Sequence, residues 1–285
     1  MRNDAWLAIY KKIRPKNLSL FLRKTESLKG QNISLVIAFE QPWALDWQLR
    51  MAQRNLLDNH AILVFDNSRR AAARLEIEHV CRDRGAFYFA LPVNFTRHVN
   101  RSHGMAMTWV FHNVVRAIQP RMFAFLDHDL IPIEKISLAQ RLADQPFYGD
   151  LRTNPWSWNL WAGYCLYNFQ SVANLPLNFL YDFSQKLDTG GRNWRCLYQN
   201  HEKQQFAFAK STSVTVKAPD IATPRAVQMV DNSWLHIGSI SYNDNFRPKL
   251  EFFKNLARAL DHGVSWLSLV EQGQIQENAL GRSVG

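Results

Sequence analysis

After residue 31 the chain alternates short apolar runs with amphipathic stretches, and this alternation limits the fold more than any other feature. Residues 33–39 (ISLVIAF) are rich in β-branched side chains and are followed by Gln41-Pro42, the pattern of a buried strand. Residues 43–57 then place Leu45, Leu49, Ala52 and Leu56 at helical spacing. Residues 61–65 (AILVF) form a second strand pattern that stops at Asp66-Asn67-Ser68, which is turn and helix N-cap chemistry. A helix over 70–84 ends at Gly85, and residues 86–91 read as a third strand. A further helix over about 104–118 stops before Pro120, and residues 122–126 (MFAFL) give a fourth strand. Strand and helix in alternation predict a layered α/β domain with a mainly parallel sheet. In such sheets ligands sit beyond the carboxyl ends of the strands.

The second half is less regular: Phe147-Tyr148-Gly149, a Trp-rich stretch over 156–164 and a Gly-Gly turn at 190–191. Leu250, Phe253, Leu256 and Leu260 mark an amphipathic helix over 249–261, closed near Gly263 and followed by a polar tail expected to fray.

At 285 residues and 47% hydrophobic, the chain can bury a substantial core, and it contains no low-complexity tract or internal repeat. Every apolar run is interrupted too early to span a bilayer, and the N-terminus carries charges where a leader peptide would be apolar. The expected location is cytoplasmic. Cys81, Cys165 and Cys196 are too few and too widely spaced for a disulfide framework or a zinc site, so reduced thiols are expected.

The net charge of +10 concentrates at the start: residues 1–30 hold eight Lys/Arg against Asp4 and Glu26, interleaved with Trp6, Leu7, Ile9, Tyr10, Ile13, Leu20, Phe21 and Leu22. Two readings fit. One is a segment lying on an anionic membrane surface at the inner face of the membrane; the other is a helix packed on the domain with a solvated basic face. No nucleic-acid-binding module is present, and no nucleic-acid partner is expected.

Asp127-His128-Asp129 follows the fourth strand directly. Two carboxylates at i and i+2, just past a buried strand, can converge on one cation at the sheet's carboxyl edge. Hard oxygen ligands suit magnesium or manganese. A turn or cap pair is the plainer reading of the same residues.

With these motifs, the chain resembles the family 2 group of GT-A glycosyltransferases, closely from Ile33 to Asp129 and more loosely to about Asn245. The resemblance implies a GT-A, Rossmann-like mixed sheet flanked by helices, in a single catalytic domain over 31–248. Residues 31–132 would form the nucleotide and metal half and 133–248 the acceptor half. Residues 1–30 would be a basic extension, and 249–285 a C-terminal helix and tail. The implied activity is metal-dependent, inverting transfer of a sugar from a nucleotide-diphosphate-sugar to an acceptor hydroxyl. The partners would be that donor and a glycan, lipid-linked or small-molecule acceptor; the cofactor would be Mn2+ or Mg2+.

Carried over residue by residue, Asp66-Asn67-Ser68 resembles the family's Asp-x-Ser turn at the nucleoside base. Asn100-Arg101-Ser102-His103-Gly104 resembles its polar loop near the nucleotide, which makes Arg101 and His103 donor-binding candidates along with Asp127. Asp127 and Asp129 would be the metal aspartates, and His236 in Trp234-Leu235-His236-Ile237-Gly238 the late histidine that completes the metal shell; a packed core histidine is the alternative. Asp188 in Leu187-Asp188-Thr189-Gly190-Gly191 would be the general base that takes the acceptor's proton, with Glu202 in reserve; an ordinary glycine turn is the alternative. Trp156, Trp158, Trp161 and Trp194 would offer an acceptor platform or simply core packing.

The chain departs from the family at Ala38-Phe39-Glu40 and at Phe65-Asp66, which leaves the nucleobase open; His128 receives no ligand role. Two other functions remain as alternatives. A sugar-1-phosphate nucleotidyltransferase would want a glycine-rich loop after the first strand, where residues 38–45 contain no glycine. A degenerate GT-A domain acting as a membrane-surface or partner-binding module would have no need of an intact Asp-x-Asp.

Overall fold

Each apolar run of the first half becomes a parallel strand, and the registers bring the strand ends to one edge. β1 (Asn32–Ala38), β2 (His60–Asp66), β3 (Phe87–Ala90) and β4 (Met122–Asp127) pair so that Ala38 lies beside Asp66, Ile37 beside Asp127 and Asp66 beside Ala90. The computed structural model describes residues 2–240, 247–271 and 276–277. After β5 (Leu130–Pro132) come β6 (Phe147–Thr153) and β7 (Trp158–Asn168), a hairpin whose second strand runs antiparallel to β4. The main sheet therefore has the order β3-β2-β1-β4-β7-β6 and is mixed, as expected.

Alternation along these strands divides the core in two. Ile33, Leu35 and Ile37 of β1, with Phe123 and Phe125 of β4, face one layer; Val36 and Ala38, with Ala124 and Leu126, face the other. The first layer is covered by α1 (Arg2–Lys12), α2 (Leu18–Lys24) and, further along the chain, Val99–Val110; the second by α3 (Pro42–Asn55) and α4 (Ala71–Asp83). Pro42 opens α3 where a missing N–H costs nothing. Leu7, Tyr10, Leu18, Phe21 and Leu28 are buried in the first layer, and the Tyr10 hydroxyl donates to the Pro92 carbonyl. Much of the apolar side of this segment is thus turned into the protein core, while Ile9 and Leu20 stay exposed. Among the described residues no helix is long and apolar enough to cross a membrane.

Two local expectations are corrected. The Asp66 turn does not cap α4, whose N-cap is Arg70 with no side-chain bond; Asp66 Oδ1 instead accepts the Ser68 N–H at 2.8 Å, closing an Asx turn. The helix expected from 104 begins earlier, as α5 (Val99–Val110), so the polar stretch at 100–104 forms its first turns rather than a loop before it. It is capped by His98 and continues through a π-helical turn, Phe111–Val115, into α6 (Arg116–Ile118).

The second half adds a sheet that the sequence reading did not foresee. After α7 (Leu138–Leu142) and α8 (Phe169–Val172), β8 (Ser211–Val216), β9 (Arg225–Val230), β10 (Trp234–His236) and the later β11 (Gln276–Glu277) join β5 in the order β11-β8-β9-β10-β5. Helix α9 (Arg247–Asp261), at the expected place, and α10 (Trp266–Leu269) contribute to a third core cluster with this sheet and Trp47 of α3. The expected frayed tail falls outside the described residues, except for β11 (Gln276–Glu277), which pairs with β8.

Candidate active site

Asp127 is the last residue of β4, and Asp129 lies just before β5. The turn between them is pinned from below: the buried Gln48 amide of α3 donates to the Asp127 carbonyl at 2.6 Å and the Leu130 carbonyl at 2.8 Å. Pairing of β5 with β10 sets Leu130 opposite His236, and this register carries a residue from a hundred positions downstream to the carboxylates. The Ile237 N–H donates to the Asp129 carbonyl at 3.0 Å, and the Gly238 N–H donates to Asp129 Oδ2 at 3.1 Å. Ligand atoms from Asp127, Asp129 and His236 all lie within 4.8 Å of one another.

The donor set fits a divalent cation. His236 Nδ1 is engaged by Gln228 Oε1 at 2.8 Å, while Nε2 faces Asp129 Oδ1 at 3.7 Å. Burial, and then the Asp129 charge, push the Asp127 carboxyl up to about 6. A half-buried and a buried carboxylate this close repel, and a cation between them would remove the penalty. Donors of a cation with bonds of roughly 2.1 Å sit up to about 4 Å apart, so small rotamer changes close the shell. Gly163 leaves the necessary room: a Cβ there would stand 2.5 Å from Asp127 Oδ2 and 2.3 Å from the Trp161 ring.

These residues form the floor of a cleft of about 520 Å³ beyond the carboxyl ends of the parallel strands. His103, from α5, lines it, with Nε2 3.3 Å from Asp127 Oδ1; burial lowers its pKa to about 4, so the contact involves a neutral imidazole rather than an ion pair. Asp188, itself exposed, lines the same cleft, its Oδ1 accepting from Asn100 Nδ2 at 3.2 Å and Thr189 Oγ1 at 3.3 Å. Gly190, at φ +89°, gives the turn a conformation open to glycine and lets its N–H reach the Phe179 carbonyl at 2.8 Å. The cleft therefore joins three donors that could hold a cation, a solvent-facing carboxylate, and the guanidinium-bearing residues Arg69 and Arg97.

No family model and no curated protein matches this chain. Among solved structures, the galactosyltransferase LgtC, solved with donor and acceptor sugar analogues, is similar at TM-score 0.36 and 13% identity, over 49% of this chain and 58% of that one. A mannosyltransferase from Pyrobaculum calidifontis, solved with GDP-Man and Mn2+, gives TM-score 0.37 and 8% identity over 54% and 52%. TarS from S. aureus gives 0.31 and 14% over 45% and 23%. The chain spans little more than half the length of the first two, and likenesses of this extent carry no functional argument by themselves. The geometry of the cleft does.

The cleft collects Asp127, Asp129, His236, His103 and Asp188 from the sequence candidates. It does not collect all of them. Asp66 is fully buried, receiving the Tyr88 hydroxyl at 3.0 Å as well as the Ser68 N–H; its neighbour Asn67 lines the cleft instead. Arg101 donates to the Tyr181 hydroxyl at 2.6 Å and 3.0 Å, tying α5 to the turn before Asp188 rather than lining the cleft. Glu202 is exposed on another loop, bonded to Gln205. Glu40 has φ +59° and accepts the N–H groups of Arg69 and Arg70, locking the end of β1 to the Asp66 turn. Of the four tryptophans, Trp161 alone lines the cleft; Trp158 is core, Trp194 packs against it, and Trp156 is exposed under Lys186. Sequence reasoning had Asn67 within the acidic turn but gave the contact to Asp66, and it missed Arg69 and Arg97; Arg69 adjoins that turn, and the adjacency was the available signal.

Proposed function

We propose that this protein is a metal-dependent, inverting glycosyltransferase of GT-A type, acting on a nucleotide-diphosphate-sugar and an acceptor hydroxyl. The observation that carries the reading is the convergence of Asp127, Asp129 and His236 at the floor of a cleft on the carboxyl edge of a parallel sheet. A divalent cation held by these three residues supplies Lewis-acid neutralisation of the charge that builds on the departing diphosphate. The remaining roles belong to the chain's own groups. Asn67, Arg69 and Arg97, with neutral His103, line the space for the nucleotide, where guanidinium groups suit phosphate oxygens. Asp188 accepts the proton of the acceptor hydroxyl as that oxygen attacks the anomeric carbon; Asn100 and Thr189 hold Oδ1, and Oδ2 is the acceptor. Trp161 offers an aromatic wall for a sugar ring.

The test is a panel of nucleotide-sugars scored for thermal stabilisation and hydrolysis, with and without Mn2+. At least one nucleoside diphosphate sugar should raise the melting point only when Mn2+ is present, because a ligand that binds the native state stabilises it. If no nucleotide-sugar shifts the melting point in either condition, the reading is wrong.

A further inference from the structure

His236 is one link in a closed circuit of side chains that crosses from the second sheet to the first. Gln228 of β9 is its direct cross-strand partner, and their side chains meet at 2.8 Å. Gln228 Nε2 donates to Ser211 Oγ of β8 at 3.1 Å, and Ser211 Oγ donates to Asp150 Oδ2 of β6 at 2.9 Å. Arg152 also donates to Asp150 Oδ2, at 2.5 Å, and its guanidinium lies 5.7 Å from the centre of the Trp161 ring. That ring is in turn 4.7 Å from the His236 imidazole, which closes the circuit.

The direction of every proton in this chain follows from its far end. Asp150 Oδ2 receives the Arg152 guanidinium, so this oxygen is an acceptor only. Ser211 must therefore spend its single O–H on Asp150, which leaves its oxygen to accept from Gln228. The Gln228 amide is oriented by that bond with Nε2 toward Ser211 and Oε1 toward His236. An amide oxygen cannot donate, so the proton on His236 sits at Nδ1. Nε2 is left with its lone pair in the cleft.

We infer that Gln228, Ser211 and Asp150 are positioning residues that lock His236 in the Nδ1–H tautomer, so that Nε2 is preset as a cation ligand and tied through Arg152 to the Trp161 wall. The inference rests on the cation site proposed above, but the tautomer itself does not depend on sugar transfer. A ligating imidazole whose second nitrogen loses its partner binds metal roughly 10–100-fold more weakly.

Two measurements decide it. In the metal-free protein, long-range proton–nitrogen correlation spectra of 15N-labelled histidine should show His236 protonated at Nδ1; a ring protonated at Nε2 overturns the inference. Mn2+ titration should then show Gln228→Leu losing roughly 10–100-fold in affinity and Ser211→Ala losing less. Gln228→Glu, which keeps an oxygen facing Nδ1, should retain most of the affinity. Equal affinity in Gln228→Leu and the parent, at unchanged melting point, also overturns it. Should Gln228→Leu fail to fold, Ser211→Ala and the wild-type spectrum carry the decision. If the wild-type protein binds no Mn2+, the proposed function fails, while the spectrum still reports whether the side-chain chain sets the tautomer.

Discussion

The two ends of the cleft are built by different means. At the end proposed to hold the cation, Asp127 and Asp129 flank the junction of β4 and β5, and His236 ends β10; three strand pairings and the Gln48 amide fix where they stand. At the end proposed for the acceptor, Asp188 is the exposed residue of a turn whose neighbours Leu187, Thr189 and Gly190 are buried, and its Oδ1 is held by two bonds of 3.2 and 3.3 Å. A site set by sheet register is stiff and holds an ion to a tight geometry. A site on a turn can yield, which suits a group that must meet acceptors entering from solvent. The difference teaches which substitutions separate binding from chemistry.

The largest effect is expected at the turn. Asp188→Asn keeps the shape and the bond from Asn100 but cannot take a proton, so transfer should fall by roughly 10²–10⁴-fold. Mn2+ affinity should change far less, because Asp188 is not one of the three donors and acts on Asp127 only through its charge, and the melting point should stay near the parental value. A variant that keeps more than a tenth of the parental rate would remove Asp188 from the base role and break the division between the two ends.

Asp129→Asn attacks the other end. Loss of a directly ligating charge should weaken Mn2+ binding by at least about 100-fold, the upper part of the range for merely supporting residues. The metal-free protein should not be destabilised, since the same change removes the repulsion felt by Asp127. A large fall in melting point would mean that Asp129 serves the fold and not an ion.

The cation end also carries a pH signature. Burial and Asp129 raise Asp127 from its ordinary 3.8 to about 6 in the folded protein. Between those values the folded state binds more protons than the unfolded chain, so metal-free stability should decline as pH rises from 4 to 6. Mn2+ competes with that proton, and its affinity should climb over the same interval and level off above it. Denaturant melts and Mn2+ titrations at matched pH check both signs; affinity that is flat across pH 5 to 7 would contradict the assignment of Asp127 as a ligand.

The smallest change tests the seam between the two ends. Gly104 of α5 packs so closely on the segment before Asp188 that a Cβ would stand 2.4 Å from the Phe179 carbonyl oxygen. Gly104→Ala should cost about 1–3 kcal/mol of stability by overpacking, read as a lower denaturant midpoint. Any catalytic loss should exceed the loss of Mn2+ affinity, because the displaced backbone is on the acceptor side.

The same contrast explains what could be read from the sequence. β1 and β4 were legible because they are buried on both faces and read as nearly continuous apolar runs, and the strand end at Asp127 followed from them; β2 and the edge strand β3 are less buried but carry the same apolar composition. β8 was not, because only Val214 and Val216 of it are buried and residues 211–216 (STSVTV) carry little apolar signal. Without β8 and β9 there was no way to see Gln228 and Ser211 behind His236. Asp66 illustrates the opposite error: an acid at a strand end looked like a ligand contact, but its oxygens are used by Ser68 and Tyr88 to shape the turn that presents Asn67. Arg101 was misplaced for the same reason, since a sequence motif fixes a backbone position and not the direction in which a long side chain leaves it.

The central claim is that Asp127, Asp129 and His236 hold one divalent cation, and anomalous diffraction from crystals grown with Mn2+ and a nucleoside diphosphate tests it most directly. The account predicts one strong manganese peak in the cleft, within bonding distance of a carboxylate oxygen from each aspartate and of His236 Nε2. A peak bonded to other residues, or none at saturating Mn2+, would contradict it.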